Sequence, residues 1–292
     1  MITAWSSAQS MVRGREAAIG AGYGLAGQWS QGSYVHVNIG GMNPPPAPEP
    51  IALAQRTAPV LLDEAYPPAR VIGAARKRVL ACARSLVTRG LVIGSSGNVS
   101  ERISPFHFLV TPAGIVYEEL RLGDIPVVDQ RTGNWTDGMR PTSEIALHLE
   151  LYRNDASLQA IVHTHSRHAA AFAVARIDLP FIINENISMH AEHILVSEYA
   201  PPGSMDLGQQ ALRTFRRQPG SRAILLSNHG VVALGDTVDQ AELVAAQVEW
   251  IAEVAYLAST LRRGLGEITV LPRAMQDAIS QNYGVAFGRE GR

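Results

Sequence analysis

The stretch Ile161-Val162-His163-Thr164-His165 constrains this chain more than any other. A short β-branched apolar run reads as a buried strand. On a strand, residues i and i+2 point to the same face, so His163 and His165 aim at one point. Upstream, Thr142-Ser143-Glu144 opens an apolar-periodic segment that continues through Ile145, Leu147, Leu149 and Leu151. Thr142 or Ser143 suits a helix N-cap, which puts Glu144 in the first turn. A third histidine closes another apolar run, in Leu226-Ser227-Asn228-His229-Gly230. Three histidines and a carboxylate are the donor set of a catalytic zinc site with one position open or exchangeable. An H-x-H pair alone is a weak signal; the four residues together, with glycine-rich segments upstream, carry the reading. His148, four residues after Glu144, shares its helix face and reads as packing or as support behind the ligands.

Among 25 basic residues only Lys77 is a lysine, and it sits in the charged run Arg76-Lys77-Arg78 on a helix surface. Imine chemistry on a carbonyl substrate needs a desolvated lysine, so a metal must be the electron sink if carbonyl compounds are handled. A net charge of -1 gives no electrostatic case for nucleic-acid or anionic-membrane partners. No stretch approaches the roughly 20 apolar residues of a membrane-spanning helix. The N-terminus lacks the apolar core of a secretory signal. A single cysteine, Cys82, excludes an intrachain disulfide framework and falls on the apolar side of a helix. These features predict a cytoplasmic protein.

Residues 1–69 differ from the rest. Glycines cluster there, followed by Asn43-Pro44-Pro45-Pro46-Ala47-Pro48-Glu49-Pro50, an extended linker composition. This N-terminal extension is expected to be partly disordered or an oligomer contact, with one edge strand at 34–39 and an incidental His36. The catalytic domain is expected to span 70–292. Its pattern predicts a helix over 71–89 stopped by Gly90, and strands over 106–111, 125–129, 181–187 and 222–226. Ser204 should cap a helix to about Arg217, and 238–263 should form a long apolar helix for core or subunit contact, with Trp250 and Tyr256 as packing residues. The segment Gly94-Ser95-Ser96-Gly97-Asn98 combines glycines, hydroxyls and an amide, which fits either an anion-binding nest or an ordinary turn.

Five motifs in order carry a family resemblance: Gly94-Ser95-Ser96-Gly97-Asn98-Val99-Ser100, Thr111-Pro112-Ala113-Gly114, Pro141-Thr142-Ser143-Glu144, His163-Thr164-His165 and Asn228-His229-Gly230. From about residue 70 onward the chain resembles the class II aldolase/adducin family. The resemblance implies a three-layer α/β/α fold with a mostly antiparallel central sheet, assembled as a homotetramer with active sites between subunits. It implies that His163, His165 and His229 hold zinc (or another divalent metal), with Glu144 as acid/base and fourth ligand. Ser95, Asn98, Gly114, Thr142 and Ser143 match positions that hold a substrate phosphate, and Tyr283 matches a tyrosine that reaches an adjacent active site. One position departs: the family's aldolases carry a catalytic tyrosine where this chain has Pro202, and Tyr199 lies close by.

The implied activity is reversible carbon–carbon cleavage of a ketose 1-phosphate to dihydroxyacetone phosphate and an aldehyde. The runner-up is a sugar-phosphate 4-epimerase, because His190-Ala191-Glu192 resembles that enzyme's catalytic segment and makes Glu192 an additional acid/base candidate. A dehydratase or decarboxylase of sugar phosphates uses the same site. A non-catalytic adducin-like scaffold would lack the metal set, which is complete here.

Overall fold

The computed structural model describes residues 66–262 and 269–286. The expected strand at 34–39, the proline linker and His36 lie outside them.

Helix α1 (Ala69–Thr88) buries Ile72, Ala75, Val79, Cys82, Ala83 and Leu86, a spacing of three and four that forms one apolar stripe. Gly90, just past its end, takes φ 70°. Seven strands then build the main sheet: β1 (Asn98–Arg102), β2 (His107–Val110), β3 (Val127–Asp129), β4 (Trp135–Thr136), β5 (Ala160–Thr164), β8 (Ala223–Leu225) and β9 (Val231–Gly235). Their order is β4-β3-β2-β1-β5-β9-β8, and every neighbouring pair is antiparallel.

Period-two alternation divides the sheet's side chains between two cores. Val99, Leu109, Ala160, Val162, Val231 and Ala233 pack with α1 and with α5 (Val238–Arg262), whose Val244, Val248 and Ile251 face the sheet. Phe108, Val110, Ile161 and Val232 pack on the other side with α2 (Ile145–Asn154) and α4 (Met205–Arg217). The result is the α/β/α arrangement with an antiparallel centre. Each large aliphatic buried this way contributes about 1.5–3 kcal/mol. Helix α3 (Arg167–Ala175) follows β5, and α6 (Arg273–Ala286) ends the described chain.

Register decides what faces the site. His163 has the parity of Ile161, so it points to the α2 side. Asn98 pairs with His163 and Ser100 with Ile161, so both β1 side chains share that face.

One local expectation changes. The strand expected over 181–187 does not form. Instead β6 (Leu179–Pro180) pairs with β7 (His193–Ile194), and Asn184–Met189 is a 3-10 helix. The Asn186 Oδ1 accepts from the backbone N–H of Ile182 and Ile183, so the side chain takes hydrogen bonds that a strand ladder would use. Trp250 and Tyr256 are about half exposed on α5, and the Tyr256 ring lies tilted against His168 with centroids 5.8 Å apart. Ser204 does cap α4, accepting from the Leu207 N–H at 3.2 Å.

Candidate metal centre

Glu144 occupies the N-cap position of α2, not its first turn. The Thr142 hydroxyl accepts from the Glu144 N–H at 3.2 Å and the Thr142 carbonyl from Ile145 at 3.2 Å, so a tight turn ends one residue later than the sequence suggests. His163 sits near the end of β5 and His165 just beyond it. His229 rides on the turn between β8 and β9, where Leu226 N–H reaches the Gly230 carbonyl at 2.7 Å and Asn228 adopts φ 54°. Asparagine tolerates that left-handed conformation.

Two glycines let these segments touch. A Cβ on Gly97, itself at φ 79°, would stand 2.5 Å from the His163 carbonyl oxygen. A Cβ on Gly230 would stand 2.1 Å from the Thr164 carbonyl oxygen. Neither approach admits a side chain.

The three imidazoles form a near-equilateral group, with ring centroids 4.7, 4.8 and 4.8 Å apart. His163 Nε2 lies 2.9 Å from His165 Nε2 and 3.1 Å from Glu144 Oε2. His229 Nε2 lies 3.2 Å from Glu144 Oε1. One ligand atom from each of the four residues lies within 4.8 Å of the others. Atoms that share a tetrahedral ion at bond lengths of about 2.0–2.1 Å stand about 3.3 Å apart, so the spacing suits one divalent cation.

The donor chemistry fits as well. His163 Nδ1 faces the Val231 carbonyl at 2.7 Å, which holds the proton on that nitrogen and turns the Nε2 lone pair toward the cluster. Among the described residues, Glu144 Oε1 and His229 Nδ1 are buried without a hydrogen-bond partner. A cation bound among these residues would satisfy the first.

Charge follows the same geometry. Burial opposes ionisation of Glu144, yet His163 and His229 outweigh it and hold the carboxyl far below the usual range. Burial lowers His163, but the Glu144 carboxylate and the Val231 carbonyl lift it above its ordinary value. Burial, then His163 and His229, push His165 down to about 3.

Three loops meet beside the cluster. Tyr117 N–H reaches the Gly94 carbonyl, Ala113 N–H the Arg140 carbonyl at 3.0 Å, and Thr142 N–H the Thr111 carbonyl at 3.1 Å. Ser95, Asn98, Gly114, Thr142 and Ser143 lie on or next to these segments in the chain. Ser95, Gly114 and Ser143 are exposed, whereas Asn98 and Thr142 are buried. Asn98 Nδ2 donates to Glu144 Oε2 at 2.8 Å and lies 3.3 Å from Thr142 Oγ1.

The other candidates with described side chains are exposed. Glu192 is exposed and pairs with Arg273 at the start of α6, while His190 is exposed at φ 51°. Tyr199 is 49% exposed, and Pro202 is exposed too. Tyr283 lies on α6, with its side chain outside the described residues. Sequence reasoning missed the Val231 carbonyl and the Asn98 amide as partners of the ligands. The first is a backbone group and leaves no mark in the sequence.

The family described as Class II Aldolase and Adducin N-terminal domain matches residues 77–256. An L-fuculose phosphate aldolase of Methanococcus maripaludis is 34% identical over 179 residues, 61% of this chain and 94% of that protein. A 5-deoxy-D-ribulose 1-phosphate aldolase of Bacillus thuringiensis serovar kurstaki is 27% identical, over 71% of this chain and 94% of its own. A solved L-fuculose 1-phosphate aldolase superposes with a TM-score of 0.65 at 30% identity, covering 72% of this chain and 96% of its own.

Proposed function

Because this chain belongs to the class II aldolase and adducin family, we propose that it is a zinc-dependent aldolase that cleaves a ketose 1-phosphate reversibly to dihydroxyacetone phosphate and an aldehyde. The observation that carries this reading is the convergence of Glu144, His163, His165 and His229 within 4.8 Å. His163, His165 and His229 would hold the ion, with Glu144 beside them. A divalent cation bound there supplies Lewis-acid stabilisation of the negative charge that develops as the carbon–carbon bond breaks.

The rest is work for the chain itself. Glu144 is mostly buried beside the histidines, where it would return a proton to the substrate carbon that loses its neighbour. The exposed hydroxyls of Ser95 and Ser143 and the backbone at Gly114 would hold the phosphate by uncharged donors, which suits a site without lysine. Tyr283 from a neighbouring subunit of a homotetramer would complete the site.

The test is direct. Purified protein should release dihydroxyacetone phosphate from L-fuculose 1-phosphate or 5-deoxyribulose 1-phosphate. Chelation should abolish the release and zinc should restore it. A metal-loaded protein that releases none from either, but epimerises a pentulose 5-phosphate, would replace this reading with its rival.

A further inference from the structure

Behind the ligand cluster runs an unbroken chain of buried hydrogen bonds that the cleavage step does not use. It starts at Glu144 Oε2, which accepts from Asn98 Nδ2 at 2.8 Å. Asn98 Oδ1 meets His148 Nε2 at 2.5 Å. His148 Nδ1 meets Ser100 Oγ at 2.7 Å, and Ser100 Oγ meets Tyr152 Oη at 2.9 Å. His148 and Ser100 are 0% exposed, and Asn98 and Tyr152 are 1%.

With a neutral His148 ring, one set of proton positions satisfies every link of this chain. The Glu144 carboxylate accepts, so the Asn98 amide must present its NH2 to it and its carbonyl to His148. His148 must then carry its proton on Nε2, leaving Nδ1 to accept from the Ser100 hydroxyl. Ser100 in turn accepts from Tyr152. The chain therefore runs one way, from Tyr152 to Glu144. Complete burial keeps the His148 ring neutral, as this direction requires.

The geometry points to His148 as a positioning residue: its Nε2 hydrogen bond locks the Asn98 amide in the orientation that holds the Glu144 carboxylate. This rests on Glu144 being the acid/base. Without the lock the amide is free to rotate, and its oxygen would then face Glu144 Oε2, two acceptors in repulsion. A fully buried polar ring between sheet and helix is otherwise expensive, since a hydrocarbon side chain would fill the space without needing partners.

The experiment uses the full-length, zinc-loaded chain labelled with 15N-asparagine, as wild type, His148→Phe and His148→Gln. Glutamine can donate to Asn98 and accept from Ser100; phenylalanine can do neither. In the wild type, the Asn98 side-chain amide should give resolved, slowly exchanging protons. His148→Phe should shift or broaden them and lower kcat on the order of 10- to 100-fold, with KM and bound zinc unchanged. His148→Gln should restore both readouts.

Asn98 signals that do not move in His148→Phe overturn the lock, as does a His148→Gln protein as impaired as His148→Phe. If His148→Phe does not fold, Ser100→Ala, which removes the partner on the far side of the ring, must move the Asn98 signals; unmoved signals overturn the lock. A wild type with no cleavage activity defeats the proposed function instead, and the amide signals still decide the lock.

Discussion

His163 is tied to Val231 across the β5–β9 ladder by a 2.7 Å hydrogen bond between its Nδ1 and the Val231 carbonyl. The ladder pairs His163 with Val232 and Thr164 with Val231, so this bond exists only in the native register. Through it the sheet, not a neighbouring side chain, fixes which nitrogen faces Glu144, His165 and His229.

Gly230→Ala should therefore damage the centre without touching a ligand. The added Cβ would stand 2.1 Å from the Thr164 carbonyl, so β9 or the His229 turn must shift. Overpacking of this kind costs about 1–3 kcal/mol. Urea denaturation should show that loss, and zinc titration should show weaker binding. A variant with wild-type stability and zinc affinity would mean that the close approach is not needed.

Acid should destabilise the metal-free protein partly through His148. Burial, then His163, push its folded-state pKa down to about 3, from an ordinary value near 6.5. The unfolded chain then binds a proton that the folded chain refuses, so stability falls as pH drops from about 6.5 toward 3, by roughly 1.4 kcal/mol per pH unit for this group. His148→Gln removes the titrating ring. Chelated wild type should show the steeper loss between pH 6 and 4, and equal slopes would contradict the buried, neutral ring.

Glu144→Gln should separate holding the ion from using it. The amide keeps an oxygen beside His163 and His229 but cannot carry a proton. Zinc content should stay close to that of the wild type while turnover falls by about 10²–10⁴. Near-normal turnover would remove Glu144 from the acid/base role.

Ser204→Ala probes the support under α2. The serine caps α4 at Leu207, and α4 packs its Leu207 and Ala211 into the core that holds Ile145 and Leu149. Loss of the cap should cost about 1 kcal/mol in thermal or chemical unfolding and leave zinc binding intact. A loss of zinc would mean that α4 positions Glu144 more directly than its packing indicates.

The ligand residues were legible because strand parity and glycine punctuation are local. His163 and His165 share a face on any strand, and Gly97 and Gly230 mark close approaches that no other residue permits. The support behind them was half legible. Asn98 and Ser100 stand two apart on β1, and Glu144, His148 and Tyr152 stand four apart at the start of and along α2, each set with one common face. What brings the two faces together is the packing of α2 on the sheet, a long-range contact that local patterns do not encode. The segment 181–187 was misread because its apolar residues suit a strand, while the Asn186 side chain captures the backbone first.

The central claim is that Glu144, His163, His165 and His229 share one divalent cation. Elemental analysis of protein dialysed against zinc and then against buffer, for the wild type and for a variant with all three histidines changed to alanine, tests it most directly. One zinc per wild-type chain and none in the folded variant is the predicted result. A wild type that retains no stoichiometric metal, or a variant that retains as much as the wild type, would contradict it.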